Sequence, residues 1–129
     1  MAAPLPSPVL EVYYSPTCAP CRLELPVLAE FVKADGARLR IVILDDEKRA
    51  RSDLRDASSA LEEAAVAPRQ AKPRAALLAA RDTDGILPFA RALASDGRVC
   101  ASWRGGLTML RAKALISACR LIGSRSRRS

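Results

Sequence analysis

The sequence predicts one α/β domain built on a mixed four-stranded sheet flanked by helices. Three observations lead there. Two strand-like runs, residues 9–14 and 39–44, alternate with amphipathic stretches. The turn Asp96-Gly97 separates two further strand-like runs, residues 89–94 and 98–103. A helical pattern then closes the chain to about Leu121. The order strand, helix, strand, helix or helices, hairpin, helix gives two parallel strands joined by a crossover, then an antiparallel pair. A chain of 129 residues suits one domain that buries roughly two-thirds of its unfolded surface. Aromatics make up only 4% of it, so the expected core is small and aliphatic.

The elements follow in order. Residues 1–8 carry Pro4, Pro6 and Pro8 and read as an extended lead-in. They lack the basic head and apolar stretch of a secretory signal, so an export leader or anchor would have to lie outside this chain. No run reaches the ~20 apolar residues of a membrane helix. Val9-Leu10-Glu11-Val12-Tyr13-Tyr14 is the first strand. Leu23, Val27, Leu28, Phe31 and Val32 recur at helical spacing and predict a helix over 18–34, kinked by Pro26 and stopped by Asp35-Gly36. Leu39-Arg40-Ile41-Val42-Ile43-Leu44 is near-continuously apolar, as in a central parallel strand covered on both faces. Residues 47–65 predict a surface helix with Leu54 and Leu61 on one side. Pro68 and Pro73 break the chain. A helical piece at 75–81, the turn Asp82-Thr83-Asp84-Gly85, the hairpin, Gly105-Gly106 and the last helix follow. The domain is expected to span 9–122, with 123–129 a basic, flexible tail.

Cys18-Ala19-Pro20-Cys21 lies at the junction of the first strand and first helix. Thiol–disulfide exchange needs a reactive thiolate and a resolving thiol within bonding reach, and this spacing supplies both. The chain has no histidine. That excludes Cys-His and Ser-His nucleophile pairs and histidine metal ligands. Of its four cysteines, Cys18, Cys21, Cys100 and Cys119, only one pair is close, so a four-cysteine zinc site is disfavoured. Cys100 and Cys119 are expected to be inert packing thiols rather than a second disulfide. Net charge is +7, part of it in the tail. A solvated tail is preferred to a nucleic-acid or membrane patch, because no basic stripe interleaved with aromatics accompanies it.

Past the second cysteine the residues become more specific. Cys18-Ala19-Pro20-Cys21-Arg22-Leu23-Glu24-Leu25-Pro26 resembles the Cys-x-Pro-Cys-x-x-Glu-x-Pro motif of the TlpA/ResA group. These are thioredoxin-like, extracytoplasmic, usually membrane-tethered thiol–disulfide oxidoreductases. Over residues 9–120 the element order fits their thioredoxin-like fold. The resemblance implies a redox disulfide between Cys18 and Cys21. Cys18, at a helix N-terminus that favours a thiolate, would attack, and Cys21 would resolve. Glu24 would handle a proton. It also implies a cis-proline before the hairpin, for which Leu87-Pro88 is preferred to Lys72-Pro73. Pro88, Leu87, Pro20 and Thr17 would then line the substrate groove. Tyr13, Tyr14 and Trp103 are expected in core and groove.

Two departures from the group stand out. Thr17 replaces the usual aromatic before the first cysteine. The buried acid of thioredoxins falls at Val12 and is missing. With no histidine between the cysteines, the expected potential lies nearer thioredoxin's roughly −270 mV than the oxidising −120 mV end. The implied function is reduction of protein disulfides, with no cofactor. The partners would be a disulfide-containing protein and an upstream thiol donor, with no nucleic acid. A monomer is expected, with any membrane tether outside this chain. The competing reading is a non-catalytic thioredoxin-like module that binds or senses redox state, and a cytoplasmic location competes with an extracytoplasmic one.

Overall fold

The computed structural model describes residues 8–34, 38–66 and 88–128, with side chains as far as residue 121. Residues 1–7 of the expected lead-in, Pro68, Pro73, the helical piece at 75–81, the turn at 82–85 and Leu87 lie outside the described residues. The elements run β1 (Val9–Tyr14), α1 (Ala19–Leu23), α2 (Leu25–Ala34), β2 (Arg38–Ile43), α3 (Glu47–Ala57), α4 (Ser59–Glu63), β3 (Ala65–Val66), β4 (Phe89–Leu93), β5 (Val99–Arg104) and α5 (Met109–Arg128). The sheet is mixed and ordered β3-β2-β1-β4-β5. β1 pairs with β2 in parallel and with β4 antiparallel.

The sheet therefore has five strands, not four. The addition is β3, which pairs with β2 through Ile41↔Ala65 and Val42↔Val66. Two residues are too few to show strand alternation, and these follow directly on a helical pattern. β2 is an interior parallel strand, as its apolar run implies, but the middle of the sheet is β1. Its residues are nearly all buried, and they divide between the two faces. Leu10, Val12 and Tyr14 join the main core with Phe31 of α2, Leu54 of α3, Leu61 of α4 and Ile116 of α5. Tyr13 lies on the other face with Leu44 and Phe89, stacked on the Phe89 ring at 5.5 Å between centroids.

Two expected helices are interrupted. The first breaks at Glu24, two residues before Pro26. Pro26 has no N–H for the Arg22 carbonyl, and its ring crowds the preceding turn. The second divides at Ser58, which ends α3 and whose hydroxyl accepts the Ala60 N–H at 3.2 Å to start α4. Leu54 and Leu61 are fully buried. The last helix continues to Arg128 instead of ending near Leu121, since no proline follows to stop it.

The hairpin turn matches its Asp-Gly prediction. Gly97 sits at φ +90°, and its N–H donates to the Ala94 carbonyl at 2.9 Å. β5 then carries a bulge: Ala92 faces Ala101, while Leu93 faces Val99, leaving Cys100 as the extra residue. A bulge re-aims a side chain that strict alternation would send to the other face. Cys100 packs against the main core and is disulfide-bonded to Cys119 of α5, with Cα atoms 5.0 Å apart. The expectation of two inert thiols is thus corrected. The bulge leaves Cys100 on the core side, where the Cys119 sulfur reaches it.

Candidate active site

β1 ends in a short turn that delivers the dithiol. The Cys18 N–H donates to the Ser15 carbonyl at 3.1 Å. Cys18 takes an extended conformation (φ −93°, ψ 102°) and caps α1, its Sγ accepting the Cys21 N–H at 3.2 Å. Pro20 stands in the first turn of α1, where a missing N–H leaves no helical bond unmade. Cys18 and Cys21 form a disulfide, with Cα atoms 5.2 Å apart. Cys18 is half-buried, whereas Cys21 is 1% exposed. Thr17, Ala19 and Pro20 are exposed around the pair, and Leu23 of α1 also faces solvent.

The break at Pro26 gives Glu24 its setting. It caps the C-terminus of α1 and is only 4% exposed. Its Oε1 accepts the Leu107 N–H at 2.8 Å. Burial raises its pKa to about 7, and the Leu107 hydrogen bond offsets only part of that rise. The carboxyl is thus poised to exchange a proton near neutrality, three residues from Cys21 on the helical path.

Leu107 belongs to the β5–α5 connection, which is pinned at several points. The Gly105 N–H donates to the Pro88 carbonyl at 3.0 Å, and the Trp103 indole N–H donates to the Gly106 carbonyl at 3.1 Å. Gly105 adopts φ +118°, a conformation for which glycine suits. Arg111 lies over the Trp103 ring, 3.9 Å from its centroid. This connection therefore joins buried Pro88 to Glu24. Leu107 was missed from sequence; Gly105-Gly106 marked a turn but not its partners. Of the expected site residues, Cys18, Cys21, Glu24, Thr17, Pro20 and Pro88 are described, and Leu87 lies outside.

Val12 is buried in the core. Its neighbour Glu11 is also buried, but on the opposite face. Glu11 pairs with Arg91 at 2.6 Å and with Arg40 at 2.7 Å, and accepts the Tyr13 hydroxyl at 2.6 Å. Burial raises its pKa, but the hydrogen bonds from Tyr13, Arg91 and Arg40 outweigh it and hold the carboxyl below the usual range. Tyr14 donates to Asp53 of α3 at 2.9 Å. Burial first, then Asp53, drives its phenol pKa upward. Among the described residues no group of three His, Cys, Asp or Glu side chains is placed to hold a metal ion, and no helix is long and apolar enough to cross a membrane.

No protein-family model matches this chain, and no curated protein matches it by sequence. Solved structures do match. A thioredoxin-related protein from Neisseria meningitidis serogroup B superposes with a TM-score of 0.71 at 19% identity, over 90% of this chain and 87% of that one. The fold is thioredoxin-like. A secreted thiol-disulfide isomerase from Corynebacterium glutamicum gives 0.65 at 15% identity, over 88% of this chain and 71% of that one. StoA from Bacillus subtilis gives 0.59 at 19%, over 89% and 84%. In this thioredoxin-like frame the Cys18–Cys21 pair stands at the end of β1, and Pro88 stands at the start of β4.

Proposed function

We propose that this chain is a thiol–disulfide oxidoreductase of the TlpA/ResA type that reduces protein disulfides. The observation that carries the reading is the asymmetry of the dithiol: Cys18 is half-buried at a helix N-cap and Cys21 is buried. In the reduced protein the Cys18 thiolate accepts the Cys21 N–H and the favourable end of the helix dipole. It attacks one sulfur of a substrate disulfide, forming a mixed disulfide and expelling the other sulfur as a thiolate. Cys21, deprotonated, attacks Cys18 Sγ. The substrate leaves with both sulfurs reduced, and the Cys18–Cys21 disulfide carries the two-electron oxidation. Glu24 is the group proposed to take the Cys21 proton. An external dithiol then restores the pair.

The reducing direction rests on Ala19 and Pro20, which offer no charged group to stabilise the reduced pair as a histidine does. Thr17, Pro20, Leu87 and Pro88 are proposed to border the substrate chain. An extracytoplasmic location is supported by the second disulfide, Cys100–Cys119, which lies outside the reactive pair, since structural disulfides persist in oxidising compartments. It is also supported by the likeness to a secreted protein. The test is reduction of insulin disulfides by dithiothreitol. The chain should accelerate precipitation of the insulin B chain, and Cys18→Ser should abolish the acceleration. An acceleration that survives Cys18→Ser would overturn the reading.

A further inference from the structure

Ser15, three residues before the dithiol, is completely buried. Its hydroxyl lies 2.8 Å from Asp45 Oδ1, just past the end of β2, and 2.9 Å from Thr17 Oγ1. The Thr17 N–H also donates to Ser15 Oγ, at 3.3 Å. The direction of these bonds follows from the chemistry. A carboxylate only accepts, so the single Ser15 proton goes to Asp45, and the Thr17 hydroxyl must donate to Ser15. Ser15 Oγ thus gives one hydrogen bond and receives two. Its carbonyl accepts the Cys18 N–H, which closes the turn.

We propose that Ser15 is a positioning residue for Cys18, with Asp45 as its anchor and Thr17 as its outer link. The proposal rests on the reading of Cys18 as nucleophile. Pro16, between them, is buried and supplies no N–H. The Ser15 hydroxyl and the Ser15 carbonyl thus both act on the path from β1 to Cys18. Asp45 fixes that hydroxyl to the neighbouring strand, at the point where the Leu44 N–H meets the Tyr14 carbonyl at 2.9 Å. Cys18 must keep its extended capping conformation for its sulfur to receive the Cys21 N–H. Loosening the turn spreads Cys18 over conformations in which it does not. Thr17 is exposed, so its pinned side chain also presents a fixed surface beside the attacking sulfur.

The test is the rate at which iodoacetamide alkylates Cys18 at pH 7 in a Cys21→Ser background, read by mass spectrometry beside the thermal melt. Ser15→Ala and Asp45→Ala should each slow it by roughly two- to tenfold, the factor that one net hydrogen bond represents. Asp45→Asn keeps an acceptor for the Ser15 hydroxyl and should recover most of the rate that Asp45→Ala loses. A folded Ser15→Ala protein that alkylates at the parent rate would overturn the proposal. If Ser15→Ala does not fold, the Asp45 variants decide. Asp45→Ala slower than Asp45→Asn supports the proposal, and parent rates in both overturn it. The nucleophile reading has its own check. If Cys21 of a Cys18→Ser chain reacts faster than Cys18 of a Cys21→Ser chain, that assignment fails whatever Ser15 does.

Discussion

The Leu107 N–H donates to Glu24 Oε1 at 2.8 Å, joining residues 83 positions apart in sequence. The bond ties the connection before the last helix to the break in the dithiol helix. Two local features bring them together. Pro26 ends α1 where Glu24 can turn inward, and Gly105 lets the chain turn beside Pro88 toward Glu24.

Glu24 gives a pH signature. Its pKa rises from 4.5 to about 7 on folding, so the folded state holds the proton more tightly than the unfolded chain. The resulting stability is fully present below pH 4.5. It is lost as pH rises to about 7, by on the order of 3 kcal/mol. Glu24→Gln keeps an acceptor for Leu107 without a charge. Denaturant unfolding across pH 4–8 should show the variant gaining on the parent through that window, with a constant difference above it. Parallel curves would show that Glu24 titrates alike in the folded and unfolded states.

The Cys100–Cys119 disulfide closes a loop of 19 residues' separation. In the loop-entropy account a link of that length contributes about 3 kcal/mol. Replacing both cysteines with serine should lower the unfolding free energy by about that amount and leave insulin reduction in place.

Glu11 and Arg91 form an ion pair with both side chains at least nine-tenths buried. Glu11→Ala leaves Arg91 charged in a site withdrawn from water. A buried pair broken on one side costs about 3–5 kcal/mol, which denaturant titration should register. Because the Glu11 carboxyl is held below its usual range, its contribution is present above about pH 4.5 and lost as pH falls further. Acid titration of the parent and variant should converge at low pH.

Much of the fold was legible because its signals are local. The first strand, the dithiol, the Asp96-Gly97 turn and the closing helix each announce themselves within a few residues. Leu54 and Leu61 were placed on a helix by spacing alone. What escaped depends on distant partners. β3 exists because β2 offers an open edge, and Ala65-Val66 carries no pattern of its own. Cys100 reaches Cys119 through a bulge that alternation hides. Glu24 was picked out by a motif, but its partner is a backbone N–H that no side chain identifies. Ser15 and Asp45 belong to no motif, and only the ends of two strands bring them together.

The most direct test of the central claim is disulfide trapping. The Cys21→Ser chain should be mixed with a disulfide-containing protein such as insulin, and the adduct digested and mapped by mass spectrometry. A mixed disulfide on Cys18, released by dithiothreitol and missing from the Cys18→Ser chain, is the expected result. No adduct, or one carried on Cys100 or Cys119, would contradict Cys18 as the attacking thiol.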